Sequence, residues 1–418
     1  MAGRRALHVA GLVAGLAALG AGGAWASDHI DGSGAVNRPT ADLTDLFAFT
    51  AGDGSGRLVV ILNAVTAAQP WESPATEATF DIVIGAIADE TLALLPDPRF
   101  RLNCNWTETA AVCDTSTGAR IEAPLGVIAD PAPLRLFAGR RSDPFVLNGI
   151  WAGELALRDA IPTPFDANIL EGFNVFALVA EIDIAAVMPE LAGRALAIGA
   201  EVRVRDGGPI LDRLGRPEIA NIALQSNTGP DLRDALNSHP ALGLPDPFRS
   251  TLRTRLRENL DRYDAMDPAP YAVDKDALAA ILTEDFLAID PRLPCTGARY
   301  FDLEGALLAG MPATRCGGRP LGQDVIDAVY GLMILGDASL EIADGAATPT
   351  QPPAGAFPWL AVPNTGAVAT LQAIAGRGIS DLSAPGQGRL VMAAILGALG
   401  IGLVFVARAA VRRIRRRR

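Results

Sequence analysis

Histidine and lysine are nearly missing from this chain of 418 residues. There are three histidines, His8, His29 and His239, and one lysine, Lys275, among 36 basic residues. His8 falls inside an N-terminal apolar run, so a Ser-His-Asp triad would have to use His29 or His239. No Gly-x-Ser-x-Gly elbow exists to present the serine. His-Glu-x-x-His, the Walker loop and a Gly-x-Gly-x-x-Gly after a strand are all lacking, which removes the usual zinc-protease, nucleotide and dinucleotide signatures. "GDGSG" at 52–56 misses the EF-hand calcium spacing and reads as a hairpin turn. The four cysteines form no Cys-x-x-Cys, so zinc ribbons, haem attachment and thioredoxin chemistry have no foothold. A basic body is absent too. The net charge is −11, and ten arginines sit at the two ends: Arg4, Arg5, Arg389, Arg408, Arg412, Arg413 and Arg415 to Arg418. Taking those ten away leaves the interior at −21. Such an acidic body repels phosphate backbones and argues against nucleic acid as a partner.

What is present starts at the ends. Residues 1–26 read as a signal peptide: Arg4 and Arg5 form a positive start, Val9 to Leu19 a short apolar core, and Ala24-Trp25-Ala26 a small-x-small cleavage site. An uncleaved anchor is the alternative. Export makes the cysteines legible, because an oxidising compartment favours disulfides. Four cysteines allow three connectivities; the local pairs Cys104–Cys113 and Cys295–Cys316 close the shortest loops. At the far end, Leu390 to Ala407 is apolar and uncharged, about 18 residues or roughly 27 Å of helix, enough to span a hydrocarbon core. Its Arg-rich tail belongs in the cytoplasm by the positive-inside rule. Residues 389–418 are therefore expected to be a single-pass transmembrane helix and tail in the cell membrane, with the main domain periplasmic or extracellular. A buried core helix, or a sorting signal that is later clipped, are the alternatives.

Between these ends the pattern changes once. "LVVILNAV" (Leu58 to Val65), "ATFDIVIGAI" (Ala78 to Ile87), Phe173 to Ile184 and Ala195 to Val204 are β-branched runs of strand length. Phe100 to Ile121 reads as a hairpin pinned by Cys104 and Cys113. From about Pro230 the pattern turns helical, at Asp246 to Met266, Asp274 to Ile289 and Gly322 to Gly336. Strands first and helices later predict an α+β fold, an antiparallel sheet or sandwich with helices mainly in the C-terminal half. The exported α+β domain is expected over 27–347. A Pro/Gly/Ala-rich strap and linker follows over 348–388.

Three motifs set arginine beside aspartate and proline: Arg141 and Asp143 in "AGRRSDPF", Asp212, Arg213 and Arg216 in "LDRLGRP", and Asp324 and Asp327 in "GGRPLGQDVID". Guanidinium and carboxylate pair well in such turns, as a shared polar pocket or as ion pairs that hold the fold. These motifs, with "SDHID" at 27–31, "ADLTDLFAF" at 41–49, "GFN" at 172–174 and "FPWLAVPN" at 357–364, resemble the bacterial domain-of-unknown-function family 4331. The resemblance carries over to His29, Asp31, Asp42, Thr44, Asp45, Ala48, Phe49, Arg141, Asp143, Asp212, Arg213, Arg216, Asp324 and Asp327. Ile30, Phe47 and Ser142 depart from the family's basic residue, tyrosine and acid. The resemblance implies an exported protein and no particular reaction.

Cleavage after Ala26 would leave the Ser27 amine, two amides and the His29 imidazole able to wrap copper(II) or nickel(II) in a plane of four nitrogens, with Ser27, Asp28 and His29 as the metal residues. Alternatively, His29 joins Asp31, Asp42 and Asp45 in an oxygen-rich site, or these residues only tie the N-terminal segment to the sheet. The leading functional expectation is a membrane-anchored binding or scaffolding module whose partner is an envelope protein or ligand. The alternative is a carboxylate-based hydrolase outside the cytoplasm.

Overall fold

The computed structural model describes residues 29, 31, 33–52, 54–224 and 231–365. Residues 1–28 and 366–418 lie outside that set, so the signal peptide, Ser27, Asp28 and the expected membrane helix fall outside the description. Among the described residues no helix is long and apolar enough to cross a membrane.

The described residues form twelve strands in chain order: β1 (Leu43–Thr50), β2 (Leu58–Ala64), β3 (Ala78–Ile87), β4 (Leu94–Trp106), β5 (Ala110–Thr115), β6 (Arg120–Pro124), β7 (Ile128–Ala129), β8 (Leu134–Ser142), β9 (Asn174–Ile182), β10 (Leu196–Val204), β11 (Ile210–Leu214) and β12 (Leu287–Ile289). They form two sheets, ordered β1-β2-β9-β8-β7 and β11-β10-β3-β4-β5-β6, with β12 added to β10. Every pairing is antiparallel. Side chains alternate across each strand, so each sheet turns one apolar row inward. Leu46, Leu62, Leu178 and Ala138 from the first sheet meet Phe80, Ile82, Leu102, Ile198 and Val202 from the second in one core. Trp106 bridges them, edge-on to both Phe80 and Phe176. This is the α+β sandwich that strand-first patterning implies, with most helices following residue 230.

Two expectations are modified. The helix expected over 274–289 ends at Thr283, and "LAI" at 287–289 becomes β12, because Leu196 and Ile289 can pair there and complete the sheet. A helix also forms early, at Gly149–Arg158, capped by Asn148, whose side chain accepts from the Trp151 amide. Both cysteine pairs are disulfides in the local pairing, Cys104–Cys113 and Cys295–Cys316. The first joins directly opposed residues of β4 and β5.

The first sheet also has an apolar outer row of Phe47, Ile61, Val179 and Phe137, covered by Trp359, Leu360 and Phe357 of the C-terminal strap. The edge of β1 is closed by Arg319, which exchanges both backbone hydrogen bonds with Ala48. Gly318 permits that approach: it has φ +79, and a Cβ there would lie 2.3 Å from the Ala48 carbonyl. The Gly-Arg-Pro motif thus carries a guanidinium to the end of the sandwich where the N-terminal segment arrives.

Candidate metal centre

Burial concentrates charge at that end. His29, Asp31, Asp42, Asp45, Asp143 and Asp212 are all buried, none more than 5% exposed. They form two sets, His29 with Asp45 and Asp143, and Asp31 with Asp42 and Asp212; within each, one ligand atom per residue lies within 4.8 Å of the others.

Local chain geometry explains the first set. A bulge between Leu43 and Asp45 shifts the register of β1, and Asp45 then pairs with Asn63 on the outer face of the sheet. Asp143 leaves β8 into an Asp-Pro turn, where its Oδ1 accepts from the Phe145 amide at 3.0 Å. Its Oδ2 lies 2.9 Å from His29 Nε2, and Asp45 Oδ2 lies 3.9 Å from the same nitrogen. The His29 ring also rests 5.5 Å from the Phe145 ring. Arg319 donates to Asp45 Oδ1 at 2.8 Å while stacking 4.0 Å over Phe47. Asp45 Oδ2 is buried and accepts no hydrogen bond.

The electrostatics follow from this packing. Burial alone would lower the His29 pKa, but charge and hydrogen bonding from Asp143, then Asp45 and Asp42, outweigh it and raise it to about 9. Burial lifts Asp45 to about 6, against the opposing pull of Arg319 and His29. A protonated His29 and Arg319 thus offset two carboxylates; a divalent cation would replace the proton.

The second set faces the space between the sheets. Asp212 sits opposite Val202 in β11, and its Oδ2 accepts from the Leu43 amide at 2.7 Å. Asp42 Oδ2 accepts from Thr66 Oγ1 at 2.8 Å, and Asp31 Oδ1 from Asn237 Nδ2 at 2.7 Å. Thr66 is held in place by a strained loop: Val65 and Ala67 both take positive φ, 67° and 53°. Of Asp31, Asp42 and Asp45, only Asp45 joins His29; Asp31 and Asp42 belong to the other set, with Asp212. The four-nitrogen copper or nickel arrangement needs Ser27 and Asp28, which lie outside the described residues. Its third member, His29, is buried with Nε2 turned to carboxylates.

The Arg-Asp motifs do not share one pocket, and their members pair with other segments. Arg213 bonds Asp285 at 2.6 Å, and Arg216 bonds Glu304, both pairs fully buried. Arg141 makes no ion pair with Asp143; it stacks 4.1 Å over Phe137. Asp324 caps the helix Val325–Leu335, accepting from Ile326 and Asp327 amides. With Asp327 and Asp344 it forms a third carboxylate group. Burial, then the neighbouring Asp327 and Asp344, pushes Asp324 up to about 8; burial pushes Asp327 to about 7.

Sequence reasoning missed Asn63, and it set Arg319 in the Gly-Arg-Pro motif beside Asp324 and Asp327 when its partner is Asp45. Asn63 is fully buried on β2, and neither amide atom has a hydrogen-bond partner. An unpartnered buried amide costs about 1–3 kcal/mol. The available signal was its position as the single polar residue in "LVVILNAV".

No protein-family model, curated protein or solved structure matches the chain.

Proposed function

We propose that this is an exported, membrane-anchored α+β module of the cell envelope that binds a divalent cation through His29, Asp45 and Asp143. One observation carries the binding reading: Asp45 Oδ2, buried and without a hydrogen bond, lies with His29 Nε2 and an Asp143 oxygen inside a 4.8 Å set. One imidazole nitrogen and two carboxylate oxygens make a mixed donor set suited to manganese or zinc. The leader pattern over 1–26 and the two disulfides support export. The apolar run at 390–407 with its arginine tail supports the anchor. The metal reading is tested by isothermal titration of chelator-treated protein with Mn²⁺, Zn²⁺, Ca²⁺ and Cu²⁺, in buffers of different ionisation enthalpy. One equivalent of cation, with proton release from His29, is expected between pH 6 and 8. Asp143→Asn should weaken uptake at least tenfold. Failure of all four cations to bind refutes the reading.

A carboxylate-based hydrolase is the second reading. The raised pKa values of Asp324 and Asp327 favour it, as an acid must hold its proton near neutrality. Its test is loss of hydrolysis of a glycoside panel in Asp327→Asn.

A further inference from the structure

We infer that Asn63 is a protein ligand of the cation held by His29, Asp45 and Asp143, its Oδ1 adding a neutral oxygen to the set. This rests on the metal-binding reading above. The argument begins with β2, whose other residues, Leu58, Val59, Val60, Ile61, Leu62 and Ala64, are apolar. Asn63 replaces what would be one more outward-facing apolar residue on a central strand, between β1 and β9. It is entirely buried, yet Nδ2 and Oδ1 both lack a hydrogen-bond partner. Native folds seldom bury an amide in that state unless it serves something else.

Its place in the register says what it serves. Asn63 is the direct cross-strand partner of Asp45. Directly opposed residues point to the same face, with Cβ atoms about 4.5–5.5 Å apart. The next residue across the sheet, Ala177 on β9, is small and apolar, so it offers the amide no polar contact. Asp45 Oδ2 is also unpartnered. A bond from Asn63 Nδ2 to Asp45 Oδ2 would satisfy both atoms, and the fold does not make it. A cation between the two side chains satisfies both oxygens at once, and Asp45 Oδ2 already lies 3.9 Å from His29 Nε2, which is 2.9 Å from Asp143 Oδ2. The resulting set is one nitrogen and three oxygens. Its amide oxygen adds no charge to a site that already holds two carboxylates beside Arg319.

The test uses two variants of the full chain, with Mn²⁺ alone as the probe. Asn63→Leu keeps the volume and removes the ligand. It should bind Mn²⁺ at least tenfold more weakly than wild type, while the chelator-treated variant melts at or above the wild-type temperature, since the orphan amide is gone. Asn63→Asp should bind Mn²⁺ more tightly and melt lower without it. That opposite pair of shifts is not expected of a merely structural asparagine or of one bridged by water. Wild-type Mn²⁺ affinity in both variants overturns the role of Asn63 and leaves the metal reading standing. Absence of uptake by the wild-type protein overturns the metal reading itself, and with it this one.

Discussion

Replacing His29 with glutamine tests the charge logic of the N-terminal cluster, in protein kept free of metal. His29 is raised from 6.5 to about 9 by Asp143, Asp45 and Asp42 against the cost of burial. Each tenfold in proton affinity is about 1.4 kcal/mol, so the protonated ring contributes about 3 kcal/mol to the folded state. A raised basic pKa adds stability that is full below the unfolded value of 6.5 and is lost as pH rises through about 9. The difference between wild type and His29→Gln should therefore be widest between pH 6 and 7 and close by about pH 10. Below about pH 6 it should narrow, because Asp45, lifted to about 6 by burial, takes up a proton there and no longer pairs with the His29 charge. Urea denaturation at five or six pH values, read by far-ultraviolet circular dichroism, measures the curve. A difference that stays constant from pH 6 to 10 would show that His29 works by packing on Phe145 and not by charge.

Three further outcomes are expected. Asp327→Asn should be more stable than wild type at pH 8 and gain least near pH 4, since a carboxylate raised from 3.8 to about 7 loses stability for the fold as pH climbs between those two values; equal stabilities at pH 8 would refute this. Asp212→Ala leaves the Leu43 amide without its acceptor and should lower stability by about 1–3 kcal/mol; a rise would mean that repulsion with Asp31 and Asp42 dominates. Replacing Cys295 and Cys316 by serine opens a loop spanning 21 positions and should cost about 3 kcal/mol; a thermal midpoint unchanged from wild type would contradict it.

Much of the sandwich is legible in the sequence because its cause is local. "LVVILNAV" and "ATFDIVIGAI" are β-branched and flanked by turn residues, and they became β2 and β3. Cys104 and Cys113 lie nine positions apart across a tight hairpin, so proximity in sequence made them opposed residues. Short segments misled where long-range pairing overrode local pattern. "LAI" at 287–289 continues a helical rhythm, yet the edge of β10 captures it as a strand. "LRLFAGRRS" and "ILDRL", rich in arginine, became β8 and β11 because the sheets supplied partners.

The candidate centre divides along the same line. Residue types by themselves marked the acidic N-terminal stretch around His29, since few histidines and several aspartates in one short segment need no fold to be noticed. What the aspartates touch is a matter of packing. Asp143, more than a hundred positions from His29, reaches it because β8 runs out at that end of the sheet. Arg319 meets Asp45 because Gly318 lets the chain close the β1 edge. Asp45 and Asp42 fall in different sets, Asp45 within β1 opposite Asn63 and Asp42 just before the strand begins. Composition and periodicity determined which segments bury themselves, since burial depends on apolar surface that each segment carries alone. Only the tertiary structure decided which buried charges meet, because electrostatic contacts of a few ångströms depend on strand order and register, and these belong to the whole sheet.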